Sequence, residues 1–299
     1  MAGTEPAMLH VAVVHVEAAG ARIAVHRAGS GPAIVCLHAI GHGARDFHDI
    51  MRWFGSSHEV LAIDWPGHGE SPPDTQPASA DRYAVILTDL LRRLDLGKVI
   101  LLGNSVGGAV AIKIAAAAPA QVCGMVLCNP GGLQRVGLVA RLYCRSMARF
   151  FAGGERGKPG FAAKFRRYYE RQVLTEPAAQ ARREEIIASG YRVAAILRQA
   201  WESFGRPSAD IRSLTSMLQC PVLYAWARKD KAVALSRCRG AVAATLQHEI
   251  VTFDASHAAF LEQPDAFEAA VRAFLPKLPS ADLPPGTDEP RAARARLLG

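Results

Sequence analysis

The sequence predicts an α/β protein: a mostly parallel central sheet flanked by helices, with one helical insertion. Three observations lead there. Short apolar runs bounded by Gly or Pro alternate with helix-patterned runs through residues 9–132 and again through 221–276. Between them, 133–212 has helical patterning and no strand-like run. The clusters of Gly, His and Asp each follow an apolar run, at the sheet edge where open parallel sheets gather their chemistry.

Leu9–Val16 alternates roughly with period two and reads as a strand, paired with Ala21–His26 across Ala19-Gly20. Gly29-Ser30-Gly31-Pro32 is a turn. Ala33–Leu37 is wholly apolar, as a strand covered on both faces is, and it ends in His38-Ala39-Ile40-Gly41-His42-Gly43. A helix is expected over about 45–54. The strand Glu59–Ile63 runs into Asp64-Trp65-Pro66-Gly67-His68-Gly69-Glu70-Ser71 and a Pro-rich loop, 72–80. In Asp81–Leu94, Tyr83, Ile86, Leu87, Leu90, Leu91 and Leu94 share one helical face, with Asp81 expected as the cap. Lys98–Leu102 is a strand, the Ala-rich run up to Ala118 a helix, and Val122–Cys128 a buried strand ending at Asn129-Pro130-Gly131-Gly132. Beyond the insertion come a strand at Pro221–Trp226, a helix near Leu235–Leu246, a last strand at Glu249–Phe253, then Asp254-Ala255-Ser256-His257 and a helix at Pro264–Phe274. The expected division is a sheet domain of 1–132 and 213–276, an insertion of 133–212, and a disordered Pro-rich tail of 277–299.

Composition narrows the function classes. The 299 residues are 50% hydrophobic and 21% charged, enough for a sizeable core. No apolar run reaches the length of a membrane span. The start, MAGTEPAMLH, lacks the basic and apolar regions of a secretory signal, so a cytoplasmic location is expected. The six cysteines lie mostly inside apolar runs with no C-x-x-C pair, and read as reduced core thiols rather than zinc ligands. The net charge is +8, yet 133–212 alone holds 16 Lys+Arg against 7 Asp+Glu, leaving 8 − 9 = −1 elsewhere. That excess reads as the solvated face of one segment. Neither a nucleic-acid nor a membrane partner is expected, and a homodimer is allowed.

The chemistry centres on Gly103-Asn104-Ser105-Val106-Gly107. G-x-S-x-G between a strand and a helix is a nucleophile elbow: the Ser sits on a tight, strained turn, and the positions two away on either side need no Cβ. The helix N-terminus supplies backbone N–H groups and a favourable dipole for a developing oxyanion. A Ser needs a base, and the base an orienting acid. His257 follows the last strand and Asp230 the strand before it, giving the order Ser105, Asp230, His257.

These motifs resemble the α/β-hydrolase fold over roughly residues 9–276. The likeness rests on the elbow, the Ser…Asp…His order, the D-x-x-G-x-G-x-S loop at Asp64–Ser71, and His257 before Ala258-Ala259-Phe260-Leu261-Glu262-Gln263-Pro264. It implies that 133–212 is a helical cap. It also implies that the N–H groups of Ile40 and Val106 form the oxyanion hole, and that neither metal nor organic cofactor is needed. The chain departs from the family pattern at Ala39, where Gly is usual, at Ala227, where the strand usually ends in Gly, and at Lys231, where Pro is common. Asp254 is a rival acid. Asn129, at the other acid position used in the family, cannot serve as a carboxylate. His38 and His68 are expected to structure loops and Asp64 to brace its own. Trp65 is expected to pack in the core, while His42, Asn104 and Trp201 are candidate pocket residues.

The implied activity is a serine hydrolase acting on a small to medium carboxylic ester, thioester or lactone. Gly-Asn-Ser-x-Gly-Gly and Pro130-Gly131-Gly132 are also similar to the meta-cleavage-product hydrolases, which cut a C–C bond. In those the catalytic His is typically followed by Trp; here Ala258 follows. An enol-lactonase and a non-enzymatic ligand receptor are further readings.

Overall fold

The computed structural model describes residues 10–279. Eight strands form one sheet in the order β1-β2-β4-β3-β5-β6-β7-β8. They are β1 (Ala12–Ala18), β2 (Ala21–Ala28), β3 (Ala33–Leu37), β4 (Glu59–Ile63), β5 (Val99–Asn104), β6 (Val122–Cys128), β7 (Val222–Ala227) and β8 (His248–Phe253). The first two form an antiparallel hairpin and β2 runs antiparallel to β4; β3 to β8 are mutually parallel. The central strands β3 to β7 are buried along their whole length, as their nearly all-apolar runs require, whereas the edge strands β1 and β8 are half exposed.

Ten α-helices accompany the sheet among the described residues: α1 (His48–Phe54), α2 (Ala80–Arg93), α3 (Val106–Ala117), α4 (Leu138–Glu155), α5 (Phe161–Tyr168), α6 (Gln180–Ala188), α7 (Gly190–Phe204), α8 (Leu235–Ala243), α9 (Ala259–Glu262) and α10 (Pro264–Phe274). In α2 the periodic face of Tyr83, Ile86, Leu87, Leu90 and Leu91 is buried as expected. Its cap is not Asp81, however. Ser79 has the extended backbone of a cap and accepts a 3.0 Å bond from Arg82 N; Asp81 lies in the first turn and pairs with Lys113. Of the expected tail, 277–299, residues 277–279 are described. Leu275–Lys277 is a short helical turn, and Leu278 packs against β6 so closely that a Cβ on Gly124 would meet its side chain at 2.5 Å. The remainder, 280–299, lies outside the described residues.

The insertion between β6 and β7 is built of helices. There α4 packs along α7, and Phe150, Phe151, Phe161, Phe165, Tyr168 and Tyr169 form a chain of ring contacts with centroids 4.9–6.4 Å apart. The parallel strands end level: Leu37 lies beside Ile63 and Gly103, Asn104 beside Cys128, and Ala227 beside Phe253. The polar loops after β3, β4, β5, β6, β7 and β8 therefore share one edge of the sheet.

Candidate active site

Ser105 stands between β5 and α3 with φ 54° and ψ −115°. That is a strained conformation for a residue with a side chain. Its backbone is held there by Ser105 N to Cys128 O (3.0 Å) and Gly131 N to Ser105 O (2.9 Å). Close approach explains the flanking glycines. A Cβ on Gly103 would lie 2.6 Å from Gly107 O, and one on Gly107 would collide with Leu37 O. The second contact also packs the start of α3 against the end of β3, bringing the loop that carries Ile40 beside the elbow.

The expected acid and base meet. His257 Nδ1 lies 2.7 Å from Asp230 Oδ2, with the carboxylate buried and the imidazole nearly so. Asp230 is saturated: Oδ1 accepts from Ala232 N (2.8 Å) and Val233 N (2.9 Å), and Oδ2 also accepts from Asn129 Nδ2 (2.8 Å). A buried charge needs such partners. Burial alone would lower the His257 pKa; the Asp230 carboxylate outweighs it and holds the ring above its ordinary value. With Nδ1 facing a carboxylate, Nε2 is the ring nitrogen left for other chemistry. Asn104, next to Ser105, donates 3.0 Å bonds to both Cys128 O and His257 O, tying the elbow to the His257 turn.

The rival acid does not reach the imidazole. Asp254 is an exposed side chain paired with Lys229 and Arg228. Asn129, at the alternative acid position, instead brackets Asp230: its Oδ1 accepts from Ala227 N (2.8 Å) while its amide holds the carboxylate.

Two neutral histidines shape the loops above the sheet. His38 Nε2 accepts from Trp65 N (2.9 Å), so its Nδ1 carries the proton and donates to Ala39 O (2.6 Å). His68 Nε2 accepts from Gly41 N (2.9 Å) and its Nδ1 donates to Pro66 O (3.1 Å). Burial pushes the two rings down to about 4 and about 3. Asp64 braces the same loops, accepting from Ala44 N (2.7 Å) and Glu70 N (3.0 Å). Trp65 is fully buried, stacked on Tyr83 with centroids 4.5 Å apart. With Gly41 N bound to His68 and His42 N to Ala39 O (3.2 Å), the Ile40 amide makes no hydrogen bond among the described residues, nor does that of Val106 at the first position of α3.

Of the candidate pocket residues, Asn104 is completely buried; its Nδ2 donates to two backbone carbonyls, while its Oδ1 has no hydrogen-bond partner among the described residues. His42 is also buried. Its Nδ1 lies 2.7 Å from Asp46 Oδ2, its ring is 5.8 Å from Tyr169, and Arg182 of α6 donates to Asp46 Oδ1 at 2.6 Å. Burial raises the Asp46 pKa, but His42 and Arg182 outweigh it and hold the carboxyl well below its usual range. His42 therefore belongs to a buried hydrogen-bonded link, through Asp46 and Arg182, between the β3 loop and the insertion. Trp201 is half-buried, edge-on to Tyr143 (5.5 Å) and Phe204 (5.6 Å).

Sequence reading gave no role to Glu262. This buried carboxylate accepts from Ser256 N (2.8 Å) and His257 N (3.1 Å) on Oε2, and from Thr175 N (2.7 Å) and Glu176 N (3.1 Å) on Oε1. Thr175 Oγ1 also meets Ser256 Oγ at 2.5 Å. One side chain thus fastens the His257 turn to the insertion. Its only advance signal is an acid among the apolar residues of Ala258–Leu261.

Among the described residues no three His, Cys, Asp or Glu side chains converge as a metal site. A groove of about 630 Å³ lined by Asp210, Arg212, Ser213, Arg237, Gly240, Ala241 and Ala244 includes none of the candidate residues.

A mostly parallel eight-stranded sheet with its polar loops gathered beyond the carboxyl ends of its strands is the fold of an α/β hydrolase. A family model described as the alpha/beta hydrolase family matches residues 34–270, and the chain belongs to that family. The first curated relatives are uncharacterized mycobacterial proteins 36% identical over 138 residues; the match spans 46% of this chain and 39% of theirs. A 2-hydroxy-6-oxononadienedioate/2-hydroxy-6-oxononatrienedioate hydrolase of Cupriavidus pinatubonensis is 27% identical over 85% of this chain and 90% of its own. Among solved structures, a thermophilic esterase from Thermogutta terrifontis has a TM-score of 0.75 at 22% identity, covering 89% of this chain and 98% of its own. The enol-lactonase of Burkholderia xenovorans LB400 has 0.71 at 20%, covering 88% and 100%. At these identities the solved structures speak to fold alone.

Proposed function

We propose that the protein is a serine hydrolase that cleaves a carboxylic ester, thioester or lactone of a small to medium substrate through an acyl-enzyme on Ser105. The observation that carries this reading is the pairing of His257 Nδ1 with a saturated, buried Asp230, on a turn tied through Asn104 to the strained Ser105. His257 takes the Ser105 proton as Oγ attacks the acyl carbon; Asp230 fixes the tautomer and stabilises the imidazolium. The Ile40 and Val106 amides donate to the oxyanion, each such donor being worth roughly 3–4 kcal/mol. Water, with its proton taken by His257, then releases the acid. The six free, buried cysteines fit a cytoplasmic location.

A panel of p-nitrophenyl esters of increasing chain length tests this, with Ser105→Ala as the control; turnover no higher than the control's rules it out. The Cupriavidus relative favours a second reading, C–C hydrolysis of a ring-fission dienoate. Ala258, buried where those enzymes typically carry Trp, weighs against it. Loss of the dienoate's visible absorbance on adding enzyme would establish that reading, and a stable absorbance would exclude it.

A further inference from the structure

The first helix of the insertion carries a surface that hydrolysis does not call for. On α4, Leu138 is 73% exposed, Val139 82%, Leu142 54% and Tyr143 42%. Its other side, at Cys144, Ala148 and Phe151, is buried against the rest of the insertion. Arg135, Arg141, Arg145 and Arg149 are exposed around the apolar residues, and none makes an ion pair among the described residues. Four other arginines of the insertion do: Arg166 with Glu184, Arg182 with Asp46, Arg198 with Glu155 and Arg212 with Asp210. No Asp or Glu occurs from residue 133 to 154.

We propose that this face of α4 docks the protein on an anionic lipid bilayer. Large apolar side chains amid unpaired arginines, on a helix with one side buried, form the pattern of a helix lying in a membrane interface, its apolar residues about 5–10 Å deep and its arginines at the headgroups. A second copy fits poorly. Isologous pairing would set four arginines against four with no acid between them. The face is one side of a single helix. No helix among the described residues is long and apolar enough to cross a bilayer, so the contact is peripheral. One residue of the surface touches a candidate pocket residue: Tyr143 sits edge-on to Trp201. Sequence alone counts these arginines as a solvated face, because it cannot show which apolar residues of the helix stay uncovered.

The test is flotation of the full chain with phosphatidylcholine vesicles, with and without phosphatidylglycerol, at low and high salt. Flotation is expected only with the anionic vesicles and is reversed by salt. Each arginine contributes roughly fivefold to partitioning, so Arg141→Gln with Arg145→Gln should weaken it by about 25-fold. Leu138→Ser with Leu142→Ser should weaken it too, and Ser105→Ala should float like the parent, since docking does not depend on the hydrolytic reading. All four surface positions are exposed, and circular dichroism checks that the variants fold. The proposal is overturned if the parent does not float with anionic vesicles, or if both double variants float as well as the parent. It is equally overturned if sedimentation velocity shows a dimer that Leu138→Ser with Leu142→Ser dissociates while flotation is absent.

Discussion

Replacing Glu262 probes the tie between the His257 turn and the insertion. Five backbone amides donate to its carboxylate at 2.7–3.4 Å: Thr175 and Glu176 to Oε1, and Ser256, His257 and Ala258 to Oε2. In Glu262→Gln the oxygen keeps the three amides on the Oε2 side, while the side-chain NH2 sets its donors against the amides of Thr175 and Glu176. A buried donor left without an acceptor costs about 1–3 kcal/mol. The two lost bonds therefore cost about 2–6 kcal/mol, a large part of a typical domain's stability of about 5–15 kcal/mol. The negative charge of Glu262 also helps hold the His257 pKa up, after the larger effects of burial and Asp230. Its removal should move the acid limb of kcat/KM to lower pH. Urea denaturation reads the first effect, and a pH profile with an ester substrate the second. If Glu262→Gln has the parent's unfolding midpoint and an unshifted acid limb, the carboxylate is not the tie described.

Three further outcomes follow from the site. Asp230→Asn should lose most activity, whereas Asp254→Asn should keep it, because the exposed pairs of Asp254 with Lys229 and Arg228 are worth at most about 1 kcal/mol; kcat/KM of both variants decides. The folded pKa values of His38 and His68 are depressed to about 4 and about 3, so the unfolded chain takes up their protons first. Stability is then full above the ordinary value of about 6.5 and falls as pH drops toward 4, each ring losing about 1.4 kcal/mol for every pH unit below that value; a flat melting temperature between pH 7 and 4 would contradict two neutral buried rings. His257, whose pKa is raised, acts in the opposite sense: its pairing with Asp230 stabilises below about 6.5, and that contribution is lost as pH rises through its folded value. Asp230→Asn should therefore flatten the alkaline side of the stability profile, as thermal melts from pH 6 to 9 would show.

The sheet was legible because its strands are nearly all apolar and its turns are marked by Gly and Pro; runs such as Ala33–Leu37 and Val122–Cys128 leave little choice. The Ser105 turn was legible because sterics demand glycine at 103 and 107, where a Cβ would strike Gly107 O or Leu37 O. Other features depend on tertiary placement. Ser79 and Asp81 are both good caps by type, and only the phase of the buried face selects Ser79. The Arg182–Asp46–His42 link joins residues 136 positions apart, once the insertion has docked. Glu262 has only backbone partners, so no second side chain betrays it. Asn104 is a pocket candidate by its place beside the Ser, and its amide bonds to Cys128 O and His257 O depend on segments 24 and 153 positions away.

Intact mass spectrometry of protein quenched during turnover of a p-nitrophenyl ester reads the role of Ser105 as nucleophile without an intermediary. A covalent acyl adduct is expected that maps to Ser105 and is absent in Ser105→Ala. Steady turnover by Ser105→Ala, or an adduct on any other residue, would contradict that role.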